Sequence, residues 1–361
     1  MQLKKRKMTL PRACLQTPID WAAKLCFLRF RCSRIFKYAA RRFSKTPLFA
    51  SITRLCKKAL TFLRAALFGG ALLVPNLAYA CACGCGVFDV GTGAMMPTGV
   101  GGSVWIQYSY MDQNRNWSGT KSANAANNSD KGITTNFITA GGQYMFDRAW
   151  GVQVEVPYWT RSFNTTDDSG NPAGFHHASW GDVRVKGVYA GFSDDMATGI
   201  TYGLKLPTGD SHYPSFDRDT EIGTGSTDWL LGAYHMGRIG GPFGWFVNGQ
   251  WEHAFTVRDQ YRPGDEVDGA LGAYYEAGSL TGSDSIAPLL QFIGSARRHD
   301  TGANAAPNDS GYTRLMISPG VEYKVEPVKL YADVEVPVYQ NMNGNQLVAP
   351  VLTKVTMAYD F

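Results

Sequence analysis

The chain has 361 residues and a formal net charge of +5, with 44% apolar and 13% aromatic residues. Its positive charge is confined to the start: positions 1–64 hold 17 of the 35 Lys and Arg but only Asp20 of the 30 Asp and Glu, leaving 18 basic against 29 acidic residues beyond them. A body with a net charge of −11 excludes the nucleic-acid binding that the whole-chain charge suggests, so no nucleic-acid partner is expected.

In chain order, the basic stretch is followed by the apolar run Ala65–Val74, by Pro75 and Asn76, and by Ala78-Tyr79-Ala80. A charged region, a short apolar core and an A-x-A site make an export signal, so residues 1–80 are read as a leader cleaved after Ala80. Ten apolar residues reach about 15 Å as a helix, roughly half the hydrocarbon thickness, which disfavours a membrane anchor. The basic region is longer than a signal needs and holds no Met after Met8, so translation is expected to begin further in.

Four of the seven cysteines lie in that leader, and the others form Cys81-Ala82-Cys83-Gly84-Cys85. Three sulfur donors within five residues offer a soft ion such as Cu(I) or Zn(II) a chelate at Cys81, Cys83 and Cys85. Lipid attachment at Cys81 and a disulfide are the competing readings. No other cofactor is expected. Residues 81–100 are Cys- and Gly-rich and are read as a plug that folds into a lumen.

Beyond residue 100, apolar residues recur at every second position, as in Val152, Val154 and Val156 against Gln153 and Glu155, or Val328, Leu330 and Ala332 against Lys329 and Asp333. Period two means strand. Segments of this kind fall near 101–111, 133–146, 149–161, 181–191, 198–207, 226–236, 244–256, 266–278, 286–297, 312–324, 328–340 and 350–361. Long polar links at 112–132, 162–180, 208–225, 257–265, 298–311 and 341–349 alternate with short ones. This rhythm predicts an all-β fold, a transmembrane antiparallel β-barrel of about twelve strands over residues 101–361, with short periplasmic turns and long outer loops. A soluble sandwich also alternates, but its strands are shorter and its loops lack the rhythm.

Pro157, Pro207, Pro288, Pro319, Pro337 and Pro350 lie in or beside these strands, where each removes a ladder donor, and are expected at bulges or rims. Trp105, Tyr108, Trp150, Tyr158, Trp159, Trp229, Trp245, Trp251, Tyr359 and Phe361 gather toward strand ends, as an aromatic girdle requires. The chain ends in an alternating strand with Tyr359 and Phe361 at its third-last and last positions. That end resembles the signal by which bacterial outer-membrane proteins are recognised, so the barrel-assembly machinery and outer-membrane lipid are the expected partners and the outer membrane the expected location.

If the apolar set faces lipid, the opposite set lines the lumen: Glu155, Arg184, Lys186, Lys205, Glu252, Arg314, Lys329, Asp333 and Glu335. Both signs are present, which suits a narrow polar channel or a self-paired structural filling. No catalytic constellation stands out, and no enzyme is expected. An outer-membrane lipid hydrolase would need a Ser beside a His base near the outer rim, and His253 is the best placed of the six histidines, yet no Ser context recommends itself. His176, His177 and His212 are read as solvated loop residues rather than metal ligands.

The run Gly203-Leu204-Lys205-Leu206-Pro207-Thr208-Gly209-Asp210, followed by Gly223-Thr224-Gly225-Ser226-Thr227-Asp228-Trp229, resembles the family of outer-membrane transporters named after the meta-pathway of phenol degradation. Ser318-Pro319-Gly320-Val321-Glu322-Tyr323 and Val334-Glu335-Val336-Pro337-Val338-Tyr339 fit the same pattern, and the resemblance spans most of residues 98–361. It implies a barrel in the style of fatty-acid channels and passage of small, often aromatic or hydrophobic, molecules. The motif residues Lys205, Pro207, Thr208, Gly209, Asp210, Gly223, Gly225, Thr227 and Asp228 carry strand-and-turn information without chemistry of their own. The expectation is a passive outer-membrane channel for a small solute, its selectivity set by the charged lumen residues. A metal-associated barrel using the cysteines and a rim-active lipid hydrolase are its rivals.

Overall fold

A computed structural model describes residues 96–361 except 98, 168, 215 and 280–283. The leader, the three cysteines and all but the last few residues of the expected plug therefore lie outside the described residues.

Alternation along each strand decides which side chains turn inward. In β1 (Gly101–Gln113), Trp105, Gln107, Ser109 and Met111 are buried while Val104, Ile106, Tyr108 and Tyr110 are exposed. The same inversion, with polar groups inside and apolar groups outside, runs through β15 (Leu352–Asp360), where Lys354 and Thr356 are buried against exposed Val355, Met357 and Tyr359. A water-soluble sheet would be stable the other way round. This pattern is stable where the solvent outside is hydrocarbon.

The remaining strands are β2 (Arg115–Gly119), β3 (Lys121–Ser122), β4 (Gly132–Met145), β5 (Trp150–Thr166), β6 (Pro172–Trp180), β7 (Val183–Tyr189), β8 (Thr198–Leu206), β9 (Asp228–Gly240), β10 (Phe243–Ala254), β11 (Glu266–Tyr275), β12 (Asp284–Arg297), β13 (Tyr312–Val325) and β14 (Val328–Val348). Twelve of the fifteen form a ring of antiparallel neighbours: β1, β4, β5, β7 through β15 in order, and back to β1 through pairs such as Tyr108 with Val355. Closure leaves no free edge in the ring, as lipid demands. Both ends of the ring's chain meet on the short-turn side, where Gly102 and Phe361 exchange two backbone hydrogen bonds of 2.8 Å.

All twelve expected strands are present. The deviations lie above the ring on the loop side. The expected link 162–180 is a hairpin extension in which β6 pairs with the upper half of β5, the expected link 341–349 is largely the upper end of β14, and β2 with β3 pairs onto that end. These stretches stand clear of lipid, so neither face has to be apolar and the period-two signal vanishes while backbone pairing persists.

Pro337 sits at a register shift where Leu315 faces Tyr339 and Met316 faces Pro337, and Pro319 lies in a two-residue gap of the same ladder, as expected of prolines that delete a donor. Pro157 marks the point where β5 changes partner from β7 to β6. Trp105 and Trp159 depart from the girdle expectation: both occupy inward positions, and the Trp105 ring covers the bare backbone of Gly141, where a Cβ would come within 2.1 Å of it. Position parity, not aromatic character, sets their direction.

Inside the ring, apolar clusters lie at different heights. Near the turns, Met96, Met145, Val188, Ala190, Met196, Tyr234 and Phe246 pack together with Met236 and Tyr274. Nearer the loops, Met111, Phe137, Ala270, Ile293, Met316 and Leu352 line half the circumference. At the loop-side end, Ile133, Phe163 and Leu347 receive Phe216 from the long segment between β8 and β9.

Candidate functional site

The inward polar residues separate into groups. Glu155, Arg184, Lys186, Lys205 and Glu252 come together on the wall formed by β5, β7, β8 and β10: Lys186 Nζ meets Glu155 Oε1 at 2.8 Å, Arg184 Nη2 meets Glu252 Oε2 at 3.3 Å, and Lys205 Nζ meets Glu252 Oε1 at 2.5 Å and also Asp228. Across the ring, Asp333 Oδ2 accepts from Ser318 Oγ (2.9 Å), Gln291 Nε2 (3.0 Å) and Tyr331 Oη (2.6 Å), and Lys354 Nζ lies 3.1 Å from Glu335. Arg314 is buried on the same wall with its guanidinium over the Tyr312 ring. Lys329 stands apart, at the turn-side mouth, paired with Asp360 at 2.8 Å. The buried acids of these groups thus each have an opposite charge or a hydrogen-bond donor beside them, the condition for holding ions away from bulk water.

The segment 207–227 decides what lies above the first group. It folds inward, held by directional contacts at both ends. Asp182 Oδ1 accepts from the Gly209 amide (2.9 Å), while its Oδ2 accepts from the Thr224 amide (2.8 Å) and hydroxyl (2.6 Å). Thr208 Oγ1 donates to the Gly181 carbonyl (3.1 Å) and accepts from the Val183 amide (2.9 Å), and Asp210 Oδ2 lies 2.8 Å from His177 Nε2. Gly209 and Gly223 pass so closely that a Cβ on Gly223 would stand 2.4 Å from the Gly209 carbonyl carbon, so neither position admits a side chain. Gly225 has φ +67°, and the Thr227 amide donates to Thr256 Oγ1 at 2.7 Å. The Pro207-to-Asp228 motif is therefore a clasp that closes an outer loop over the lumen, and Pro207 follows directly on β8 where the chain leaves the ring.

The middle of the segment is fixed from below. Arg161, which is 0% exposed, donates from Nη1 to the carbonyls of Thr220 and Glu221 (3.1 Å to the latter) and from Nε to Thr135 Oγ1 (3.0 Å). Phe216 inserts against Phe163, and Tyr213 stacks on His177 with ring centroids 4.0 Å apart.

Beneath this loop lies a chamber of about 130 Å³. Its walls are Gln107 and Ser109 of β1, Phe137 and Thr139 of β4, Glu155, Pro157 and Trp159 of β5, with Arg184, Lys205 and Glu252 beside them. Its roof is Arg218, Asp219, Glu221, Ile222 and Tyr261. Phe137 and Trp159 meet edge to face at 4.8 Å, and the Arg218 guanidinium lies 4.5 Å over the Tyr261 ring. Burial raises the Glu221 carboxyl to about 7; Asp210 adds to the rise, while the Tyr213 amide, Arg218 and Arg161 oppose it. In the loop before β4, Asp130 is likewise raised to about 7 by burial, against a hydrogen bond from Thr165. The space can hold a small molecule with one polar end and an apolar body.

Sequence reasoning missed Arg161, Arg218, Glu221 and Tyr261, because loop docking alone brings three of them over the lumen. Arg161 lies at the very end of an expected strand, and its inward parity was a usable signal. His253 occupies the outward parity of β10; its Nδ1 lies 2.8 Å from Asp265 Oδ1 and its Nε2 faces Arg262 Nη2 at 3.3 Å, so an arginine stands where a hydrolase would need its serine. His176 pairs with Ser162, and His212 with Asp259, on the loop side. Among the described residues no group of three or more His, Cys, Asp or Glu is placed to hold a metal ion.

A closed, twelve-stranded antiparallel ring with an apolar outside and a polar inside is the fold of an outer-membrane β-barrel. No protein-family model and no curated protein matches the chain. Among solved structures, the chain is similar in fold to the COG4313 outer membrane channel from Pseudomonas putida F1, at a TM-score of 0.57 and 12% identity, over 75% of this chain and all of that one. The β domain of the Bordetella autotransporter BrkA (TM-score 0.44, 11% identity, 73% of this chain and 100% of that one) and the CymD monoaromatic hydrocarbon channel (0.39, 10%, 79% and 98%) are more distant barrels.

Proposed function

We propose that the protein is an outer-membrane channel that lets a small amphipathic solute pass down its gradient through the chamber beneath the 207–227 loop. The observation that carries this reading is the chamber itself: open space inside a closed barrel, with paired charges on one wall and Phe137, Pro157, Trp159 and Ile222 on the others. A purely structural barrel has no use for such space, since buried ion pairs add little net stability over packed apolar groups of equal volume. The like-folded Pseudomonas putida F1 protein is described as an outer membrane channel, and the same duty fits the chamber here. Within this reading Glu155, Arg184, Lys186, Lys205 and Glu252 set the local field, Arg314, Asp333 and Glu335 keep the far wall polar, and Lys329 guards the inner mouth. Lipid and the assembly machinery, through the strand ending at Phe361, are its partners in the membrane.

Conductance across planar bilayers tests the proposal. The refolded protein is expected to give discrete single-channel steps, and Asp182→Ala, which removes the clasp on Gly209 and Thr224, is expected to enlarge them about threefold or more. Failure of both proteins to conduct would overturn the channel reading.

A further inference from the structure

The cations on the chamber wall and roof are engaged by neighbouring groups, whereas one carboxyl keeps an oxygen without a partner. Arg184 and Lys205 converge on Glu252, Arg297 Nη2 lies 2.7 Å from Asp300, and Arg218 donates to the Thr224 carbonyl while covering Tyr261. Among the acids, Glu155 faces Lys186, Asp182 takes the Gly209 and Thr224 amides, and Glu266 accepts from Tyr312 Oη at 2.6 Å. Glu221 differs: it is only 9% exposed, it lines the chamber, and its Oε2 is buried without a hydrogen-bond partner. Arg161 satisfies the Glu221 backbone carbonyl, not the carboxylate. The chamber lining as a whole carries six acidic residues against four basic ones.

An ionised carboxylate with an open lone pair in a confined space is costly, and an incoming ammonium that donates to it removes that cost. An incoming carboxylate finds no cation outside an ion pair but Arg218, whose Nη2 is taken by the Thr224 carbonyl and whose face lies on the Tyr261 ring, and it meets Glu221 as well. The apolar faces of Phe137, Trp159, Pro157 and Ile222 provide for the body attached to the charge.

We propose that the chamber selects small organic cations, amines carried on an apolar or aromatic body, over carboxylate anions, and that Glu221 is the selecting group. The inference rests on the channel reading and names its solute class. The groups facing Glu221 are Asp210, Arg218, Arg161 and the Tyr213 amide. With the carboxyl raised to about 7, it is ionised above that pH and neutral below, so the preference is present in alkali and fades in acid.

The test uses benzylamine and benzoate as probes on the whole refolded protein. At about pH 8.5, reversal potentials in a KCl gradient are expected to show cation preference, and benzylamine to block the current at a concentration roughly tenfold below benzoate; both effects are expected to shrink severalfold at about pH 5.5 and in Glu221→Gln. Equal block by the two probes, or a preference that survives both acid and Glu221→Gln, overturns the proposal. Should the variant fail to insert, the pH comparison on the unaltered protein decides alone. If nothing conducts, the channel reading falls, and calorimetric titration of the detergent-solubilised protein still separates the two: benzylamine binding lost in Glu221→Gln upholds the site, and absence of binding removes it.

Discussion

Two regions inside the barrel are built by different chemistries. On the turn side, Met96, Met145, Met196, Tyr234 and Phe246 are held together by apolar packing. On the loop side, the 207–227 segment is held at both ends and from below by directional hydrogen bonds of Arg161, Asp182, Thr208 and the His177–Asp210 contact, with Phe216 and Tyr213 packing beside them. Apolar packing is tolerant in detail and lost only by volume, whereas a directional clasp is released by removing one group. The turn-side cluster thus has the character of a rigid base, the floor, and the loop-side segment that of a lid.

The largest effect expected from this contrast is on stability at the floor. Met145→Ala leaves a cavity among Val188, Met196 and Phe246 and is expected to cost about 2–5 kcal/mol in urea unfolding from lipid vesicles, without changing hydrogen exchange in the lid. Next comes the lid's buried anchor. Arg161→Met strands the Thr220 and Glu221 carbonyls and Thr135, and is expected to speed exchange of amides 213–224 by roughly a hundredfold while costing about 1–3 kcal/mol overall. A floor that loosens with it would erase the distinction between the two ends. Exchanging Gly209 for Ala should have a similar but weaker outcome, since the added Cβ would stand 2.7 Å from the Gly223 Cα and must push the two passes of the loop apart.

The smallest effect is the pH dependence of lid docking. Glu221 and Asp130 are both raised to about 7 by burial, so between their ordinary carboxylate range and about 7 the docked state binds more protons than the released one. Stability that depends on such protons falls as pH rises. Amides 213–224 are therefore expected to exchange about tenfold faster, beyond the intrinsic pH effect, at about pH 8 than at about pH 5.5, with Glu221→Gln flattening the dependence; the floor, which contains no titrating carboxyl, is expected to show none.

Which parts of this were legible in advance follows from one condition, contact with lipid. Lys205, Glu155 and Glu335 could be placed inside because each alternates with residues that must face hydrocarbon, such as Leu204, Val154 and Val334. β6 and the upper end of β14 escaped detection because they rise above that constraint and show no alternation. The clasp motif was visible as a pattern of Gly, Thr and Asp, but its purpose was not, since its partner Asp182 is supplied by the start of another strand and His177 by a hairpin that read as loop.

The sequence by itself determined the number of strands in the ring, their order, which face of each turns outward and the charge mixture within, because a side chain's direction on a strand is fixed by parity and parity is local. Only the tertiary structure decided that the 207–227 loop turns into the lumen, that Arg161 and Asp182 hold it there, and that Glu221 stands over the chamber with one carboxyl oxygen unpartnered. Those arrangements join residues tens of positions apart through hydrogen bonds that carry no periodicity, and they exist only once the ring has closed and brought its loops together.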